Sequence, residues 1–313
     1  MQLCSGFLWK GKEQSARGAR VSWNCICYPK SEGGLGLKDL VSWNQACVLQ
    51  NIWAIITKSG SLWIAWIQEY ILKGRSLWDQ VANQNGGSWA WKKLLKLRNL
   101  AQRFIVRKEG REEWKFPGEK YSAAKVWKEI RPRKEKIAWH RLLWSSFVLP
   151  KHAVIVWMAI LNRLPTKDRL RTWGFDITGD CPLCKQEQET RNHLFFECSF
   201  SKAIWKMILT LCDLRRDTSC WNQELKWASQ RLKGKALIST LLRIGWNAYI
   251  YHMWKERNNR LFSQKEETKE QILEHVKETV RHRIAKLKNV AKDPINMFLH
   301  RSWGLFESIF ESA

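Results

Sequence analysis

Apolar residues recur at helical spacing along most of the chain. With Gly and Pro as breaks, the spacing predicts helices over residues 37–57, 62–72, 89–106, 122–130, 137–145, 151–161, 166–174, 199–211, 234–262 and 267–290. The clearest pattern is in the last of these, where Ile272, Val276, Val280 and Ile284 follow one another at intervals of four. Such a stripe is typical of a helix with one buried face.

One segment favours strands instead of helix. Residues 112–121 contain two short strand-like runs on either side of Pro117-Gly118, and Ser122 is placed to cap the helix that follows. The hydrophobic pattern therefore predicts a mainly α protein, built from helical bundle segments with one short β-hairpin near residues 112–121.

Four residues in the middle of the chain have the spacing of metal ligands. Two residues separate Cys181 from Cys184, eight separate Cys184 from His193, and four separate His193 from Cys198. Three thiolates and one imidazole complete the tetrahedral set of a structural zinc and leave no position for water. We therefore expect one structural Zn²⁺ in a small Cys3His loop. The alternative is three buried free cysteines and a core histidine.

The remaining cysteines show no comparable grouping. The total of nine is odd, and no secretory signal follows Met1. We therefore expect a reducing, intracellular location in the nucleus or cytoplasm. No uninterrupted apolar run is long enough to predict a membrane span. The six cysteines interpreted as packing residues are Cys4, Cys25, Cys27, Cys47, Cys212 and Cys220.

The charge of the chain favours a polyanionic partner. Lys and Arg number 54 against 29 Asp and Glu, a formal net charge of +25. Residues 91–141 are the most basic stretch, with 17 Lys or Arg and six Glu. This stretch predicts either a phosphate-facing surface or ordinary solvated helix faces, and both readings stay open. The candidate nucleic-acid-binding residues are Lys92, Lys93, Lys96, Arg98, Arg103, Arg131, Arg133, Lys134 and Lys136.

Motifs for catalysis are missing from the sequence. It contains no adjacent Asp pair, no G-x-S-x-G, no H-E-x-x-H and no Walker-type loop. The glycines at 33, 34 and 36 lack a following Lys-Ser/Thr and indicate a turn. Neither His140 nor His152 lies near a nucleophilic Cys or Ser arrangement. We therefore expect no enzymatic activity and no small-molecule substrate.

The zinc-ligand segment and its flanks resemble a known family. The motif residues are Leu149-Pro-Lys, Trp157, Arg163-Leu-Pro-Thr, Asp168-Arg-Leu, Trp173-Gly, Glu189-Thr, His193-Leu-Phe-Phe and Ile204-Trp, together with the three cysteines. This set resembles the zinc-binding domain of plant non-long-terminal-repeat (LINE-type) retrotransposon reverse transcriptases. Upstream, Phe7-Leu-Trp-Lys-Gly and Glu32-Gly-Gly-Leu-Gly resemble the segment after the polymerase thumb. Downstream, Trp254-Lys-Glu-Arg-Asn-Asn-Arg resembles the stretch that trails the zinc domain.

The resemblance implies a division of the chain into three regions. Residues 1–110 would be a helical remnant of the region after the thumb, 111–213 the zinc-binding domain, and 214–313 a C-terminal helical region. In that family the polymerase domain with its paired aspartates would lie upstream of Met1. The resemblance also implies association with element RNA or target DNA.

Two functions from different classes follow. The first is a non-catalytic, retrotransposon-derived zinc-binding protein that associates with RNA or DNA through its basic surface, with a reverse transcriptase body in trans as a further candidate partner. The alternative is a zinc-stabilised protein-interaction module that docks on a polymerase or host protein, in which the positive charge is incidental. Steep weakening of binding by salt is expected only of the first.

Overall fold

The computed structural model describes residues 2–10, 19–80, 88–108, 111–115 and 121–311. The chain divides into two compact units. The first contains Met1–Ala16, Ser22–Pro29 and Gly34–Glu135, and the second contains Arg17–Val21, Lys30–Gly33 and Lys136–Ala313. The division into 1–110, 111–213 and 214–313 stays a prediction.

The first unit is mainly helical. Its elements are α1 (Gln2–Lys10), α2 (Trp23–Cys27), α3 (Leu40–Ile56), α4 (Leu62–Trp66, extended by a π-helical turn Ile67–Leu72), α5 (Trp89–Lys96), α6 (Arg98–Ala101), β1 (Ile105–Lys108), β2 (Arg111–Trp114) and α7 (Ala123–Ile130). Among the residues described, these two antiparallel strands form the one sheet. The predicted fold class, mainly α with one hairpin, is confirmed.

Helix α3 is the centre of the first unit. It begins after Asp39, whose carboxylate accepts a hydrogen bond from the Ser42 backbone N–H at 2.9 Å and so caps the helix. Its buried face packs against α7, where Trp127 donates its indole N–H to the Ser42 hydroxyl at 3.1 Å. The Tyr121 hydroxyl donates to the carbonyl of Ala46. The N-terminus of α3 and the aromatic residues of α7 are thus fixed together.

The hairpin lies earlier in the chain than the pattern predicted. Its register pairs Ile105 with Trp114 and Lys108 with Arg111, so the predicted turn at Pro117-Gly118 is not where the strands reverse. Residues 116–120 lie outside the described residues. The predicted helix 89–106 is also wrong beyond 101, because residues 105 and 106 pair in β1. Trp114 contacts Phe104 at a centroid distance of 6.0 Å, and this packing favours the strand over continued helix.

The second unit is helical apart from its zinc-ligand segment. Its elements are α8 (His140–Leu143), α9 (Pro150–Ile160), α10 (Lys167–Thr172), a π-helical turn (His193–Glu197), α11 (Ser199–Thr210), α12 (Trp221–Arg231), α13 (Leu237–Asn258, extended by a π-helical turn Asn259–Ser263), α14 (Lys269–Ile284), α15 (Pro294–Trp303) and a 3₁₀ turn (Glu307–Phe310). The hydrophobic pattern predicts neither α12 nor α15. Helix 137–145 is shortened to α8, and the predicted 267–290 helix ends at Ile284.

Helix α13 is the scaffold of the second unit. It packs against α9, α11, α14 and α15, and most of its residues are buried. The predicted stripe on α14 is confirmed, because Ile272, Val276, Val280 and Ile284 are fully buried. No helix among the described residues is long and apolar enough to span a membrane.

Candidate metal centre

The four predicted ligands converge on one point. The donor atoms of Cys181, Cys184, His193 and Cys198 all lie within 4.8 Å of one another, and Cys184 Sγ is 3.3 Å from His193 Nε2. Zinc bonds of about 2.0–2.3 Å at tetrahedral angles place donor atoms about 3.6–3.8 Å apart. The cluster is therefore close to the size of a zinc tetrahedron, and its residues fit that ion.

A tight turn brings the first two cysteines together. The Cys181 N–H donates to the Glu187 carbonyl at 2.7 Å, and the Lys185 N–H donates to the Cys181 carbonyl at 2.8 Å. Lys185 adopts a left-handed conformation with φ of 58°, which reverses the chain directly after Cys184. An antiparallel bridge between Asp180 and Gln188 closes the base of this turn. Both sulfurs are consequently presented from one short loop.

The other two ligands are placed by a π-helical turn. The Cys198 N–H donates to the His193 carbonyl at 2.7 Å, the spacing of a π turn, so the imidazole and the thiol lie on the same side. The His193 N–H is capped by the Thr190 hydroxyl at 3.1 Å. Cys198 then precedes α11, and its carbonyl accepts from Lys202 at 2.8 Å. The π turn contains one residue more than an α-helical turn, and this extra residue orients His193 and Cys198 towards the same side.

The thiols differ in their proton affinity. The neighbouring Cys181 thiol, which shares its proton with Cys198, and the backbone N–H groups of Ser201 and Phe200 hold the pKa of Cys198 below its usual range. The same shared proton, together with burial, raises the pKa of Cys181. A divalent cation would replace that proton and hold both sulfurs as thiolates.

The imidazole of His193 is oriented by a carboxylate. His193 Nδ1 is 3.1 Å from a carboxylate oxygen of Glu187. This contact favours the tautomer with its N–H on Nδ1, in which the lone pair of Nε2, the nitrogen that faces Cys184, can bind a metal ion. Carboxylate contacts of this kind orient metal-binding histidines.

A buried ion pair ties the zinc-ligand loop to α13. Arg257 donates from Nε to Glu189 Oε1 at 2.8 Å and from Nη2 to Oε2 at 3.1 Å, and both side chains are almost fully buried. Arg257 also donates to the Pro165 carbonyl at 3.2 Å. Burial raises the pKa of Glu189, and the contact with Arg257 opposes that rise. The pair fixes the loop between Cys184 and His193 at the end of α13.

Two further contacts from α13 and its continuation hold the loop. Arg260 donates to the Leu183 carbonyl, inside the turn of the first two cysteines, at 3.1 Å. The Tyr249 hydroxyl donates to the carbonyl of Phe195. Phe195 and Phe196 are buried, and Phe196 stacks on Trp246 at a centroid distance of 5.0 Å. These two buried rings therefore anchor the zinc-ligand loop to α13.

These anchoring residues were not found from the sequence. Arg257 and Arg260 lie in the stretch 254–260 that carried part of the resemblance, and Glu189 lies in its zinc-domain part. No local spacing connects residues that are 68 positions apart, as Arg257 and Glu189 are. The only available signal was that both motifs belong to the same resemblance.

The basic candidates fall into several settings. Lys92, Lys93 and Lys96 lie on α5, whose opposite face buries Trp91, Leu94 and Leu95, and Arg103 is exposed. Arg98 instead donates to the carbonyls of Leu77 and Trp78 at 2.8 Å each, so its guanidinium holds that turn.

The remaining candidates follow α7. Arg131 lies 5.6 Å from the Trp127 ring, Lys134 lies 4.3 Å from the Tyr28 ring, and Arg133 pairs with Glu129 at 2.8 Å. Lys136 is exposed and belongs to the second unit. The structure thus groups the cations of the first unit into a set on α5 and a set after α7.

Comparison with known proteins agrees with the metal centre. Residues 121–205, which include all four cluster residues, match the family model described as zinc-binding in reverse transcriptase. The chain is also similar to the Arabidopsis thaliana protein named "Putative ribonuclease H protein", with 20% identity over 358 aligned positions that cover 87% of this chain. The chain spans 57% of that relative's length. No solved structure gives a significant match.

Proposed function

We propose that this chain is a zinc-stabilised module that associates with RNA or DNA through basic surface and has no catalytic centre of its own. Its origin, in this proposal, is the C-terminal part of a plant non-long-terminal-repeat retrotransposon reverse transcriptase. The observation that carries the proposal is the convergence of Cys181, Cys184, His193 and Cys198 inside a segment similar to the zinc-binding domain of reverse transcriptases.

The assigned role of the metal is structural. Three sulfurs and one nitrogen fill the coordination of a single zinc ion, which leaves no site for a reactive water. The cluster is buried except for Cys184, and the pair of Glu189 within the loop and Arg257 ties the loop to α13. The zinc would therefore fix the loop 178–198 onto α13 and would not take part in hydrolysis.

We assign a nucleic acid as the partner because of the lysines on α5. Lys92, Lys93 and Lys96 form no ion pair with any residue that the structure describes, so their charge is available to a phosphate backbone. Each phosphate neutralised releases a counterion, and this makes affinity fall with salt. Backbone contacts of this type carry little sequence preference.

The non-catalytic part of the proposal rests on chemistry. The name of the Arabidopsis thaliana relative mentions ribonuclease H, but the chain spans little more than half of that protein. Two-metal phosphodiester chemistry needs clustered carboxylates. The metal cluster found among the described residues is instead made of thiols and imidazole.

A titration tests the proposal directly. A short RNA hairpin and a matching DNA duplex are titrated with the zinc-loaded chain at 50 and 200 mM salt (about the range over which such contacts weaken strongly). We expect binding at low salt that weakens steeply at high salt. No detectable complex with either ligand at low salt would overturn the proposal.

A matched pair of variants locates the surface. Replacing Lys92, Lys93 and Lys96 by Gln should lower the slope of log affinity against log salt for duplex DNA by about 3, since each phosphate contact contributes about 0.9. The control replaces the exposed Lys226, Lys233 and Lys235 by Gln, which changes the net charge equally. Equal effects of the two triple variants would show that α5 is not the binding surface.

A second candidate function is favoured by one exposed apolar face. Leu62 is 92% exposed, Trp66 50% and Tyr70 65%, and the last two rings stack at 6.1 Å. Such a face is typical of a protein-interaction surface. A protein-interaction module would bind a polymerase or host protein with an affinity that survives high salt, and Trp66→Ser would weaken it.

A further inference from the structure

The first unit contains a cavity that the zinc site does not explain. Its volume is about 260 Å³, and its walls include Tyr28, Asp39, Val41, Trp127 and Arg131. These residues come from the end of α2, the start of α3 and the end of α7, and all belong to the first unit. Pockets for whole drug-sized ligands are usually about 300–1,000 Å³, so this cavity suits a smaller group.

Two aromatic rings give the cavity flat, rigid walls. Trp127 is 8% exposed and is held by its hydrogen bond to Ser42, so the ring does not need to be ordered on binding. Tyr28 is half-buried on the α2 side. Cys27, Val41 and Pro132 add apolar lining, and Asn24 adds an amide. Aromatic faces of this kind stack on nucleobases irrespective of sequence.

Cations accompany both rings. The Arg131 guanidinium lies 5.6 Å from the Trp127 ring, and Lys134 Nζ lies 4.3 Å from the Tyr28 ring. The two are separated by only two residues, so they form one basic segment next to the cavity. A planar group that enters the cavity with a phosphate attached would place that phosphate near positive charge.

One wall group distinguishes among planar ligands. Asp39 Oδ2 accepts from the Ser42 N–H and hydroxyl, both at 2.9 Å, which fixes the carboxylate. An ionised carboxylate only accepts hydrogen bonds and has about four lone-pair sites, of which Ser42 occupies part. The remaining capacity suits a ligand that presents an amino group, as cytosine, adenine and guanine do.

From these contacts we infer that the cavity between α2, α3 and α7 binds one unpaired nucleobase of a single-stranded nucleic acid, with preference for a base that carries an exocyclic amino group. The base lies against Tyr28 and Trp127, Asp39 accepts from its amino group, and the flanking phosphate lies near the positive charge of Arg131 and Lys134. The inference deepens the proposed function and rests on it. The cavity adds a base-specific site to a surface that otherwise contacts only the phosphate backbone.

A variant that fills the cavity tests the inference. Val41 is 55% exposed, so Val41→Phe adds a ring to the cavity without removing a core group. The zinc-loaded full chain is titrated with fluorescent eight-nucleotide cytosine and uracil RNA strands and with the DNA duplex. We expect Val41→Phe to weaken binding of the cytosine strand at least about fivefold, the loss of one stacked base, while duplex binding is unchanged.

The control is the neighbouring residue. Leu40 is 50% exposed and does not line the cavity, so Leu40→Phe should leave all three affinities unchanged. If Val41→Phe binds the cytosine strand as tightly as the wild-type chain does, the inference is overturned. The cavity would then serve an apolar partner or none. Absence of binding to every ligand would instead overturn the proposed function itself.

Base preference gives an independent readout. Asn also caps helices well, so Asp39→Asn retains α3 while it adds an N–H donor to the cavity. The wild-type chain should bind the cytosine strand at least about fivefold more tightly than the uracil strand, and Asp39→Asn should reduce that ratio towards one. Equal wild-type affinity for the two strands would remove Asp39 from the base site.

Discussion

The buried arginines of the second unit and the lysines of α5 in the first unit use their positive charge differently. In the second unit arginines are bound inside the structure: Arg257 binds Glu189, Arg216 binds Glu224, and Arg243 donates to the Gly234 carbonyl. In the first unit the lysines of α5 extend from the surface without an ion pair among the described residues. The net charge of +25 is therefore a poor guide to a binding surface. An arginine whose charge is bound to an internal carboxylate is not available to a nucleic acid.

The stabilisation of the two units differs as well. The first unit is held by an apolar core that includes Ala46, Leu49, Ile52 and Val126. The second unit also has a large aromatic core, but its zinc-ligand loop depends on thiols, an imidazole and the buried ion pair. Changes to polar groups should therefore affect the second unit far more than the first.

The largest expected effect follows from loss of a metal ligand. Structural zinc contributes about 10–16 kcal/mol of apparent binding free energy in small zinc-finger peptides, comparable with the stability of a whole domain. Cys184→Ser, or a strong chelator, should therefore open the loop 178–198. Hydrogen exchange measured by mass spectrometry should show fast exchange there and unchanged protection in α3.

The control for this variant is Cys220→Ser. Cys220 is also half-buried in the second unit but lies outside the cluster, at the N-cap of α12. It should leave exchange unchanged. Equal protection of the loop in wild type and in Cys184→Ser would refute the structural role of the metal.

The next effect concerns the buried ion pair. Arg257→Met leaves the Glu189 carboxylate buried without its partner, which should destabilise the second unit by about 3–5 kcal/mol in chemical denaturation. The double variant Glu189→Leu with Arg257→Met should recover much of that loss, because no uncompensated charge remains. The exposed pair of Arg215 and Asp213 is the control, and Arg215→Met should cost less than about 1 kcal/mol. An equal loss of stability in Arg257→Met and in Arg215→Met would show that the buried pair contributes no more than the exposed pair.

Lowering the pH should also reduce the free energy of unfolding of the second unit. Burial lowers the pKa of His152 to about 4 and that of His252 to about 3. The unfolded chain takes up protons below about pH 6.5, whereas the folded rings stay neutral, so stability falls as pH falls from about 6.5 towards 4.

The pH effect is measured as the free energy of unfolding at pH 7.5 and 5.5. Each ring contributes at most about 1.4 kcal/mol per pH unit below its unfolded pKa. His252→Gln should reduce the pH dependence, and the exposed His282→Gln should not. Because both variants keep the metal ligands, acid release of zinc affects them equally. An unchanged pH dependence in His252→Gln would contradict the assignment of the acid effect to the buried His252.

Whether a feature of the fold or the site can be predicted from the sequence depends on how far apart in the chain the interacting residues lie. The zinc ligands and the stripe from Ile272 to Ile284 were found because their signals are local spacings. The hairpin was displaced because residues 105 and 106 suit a helix or a strand, and the pairing with β2 decides between them. Glu189 and Arg257 were missed because a partner 68 positions away leaves no periodic trace.

The smallest effects separate stability from binding within the basic stretch. Arg98→Met should cost about 1–3 kcal/mol of stability, because it removes charged hydrogen bonds to Leu77 and Trp78, with little change in nucleic-acid affinity. Lys92→Met should do the opposite, with stability unchanged within about 0.5 kcal/mol and weaker binding at low salt. Thermal unfolding and anisotropy titrations on the same samples make the test. Identical profiles for the two variants would remove the distinction between bound and available cations.

The most direct measurement is X-ray absorption at the zinc edge on the purified full chain. We expect about one zinc per chain, with three sulfur neighbours at about 2.3 Å and one nitrogen neighbour at about 2.0–2.1 Å. A coordination shell of oxygen and nitrogen alone, or a folded chain that holds no zinc, would contradict it.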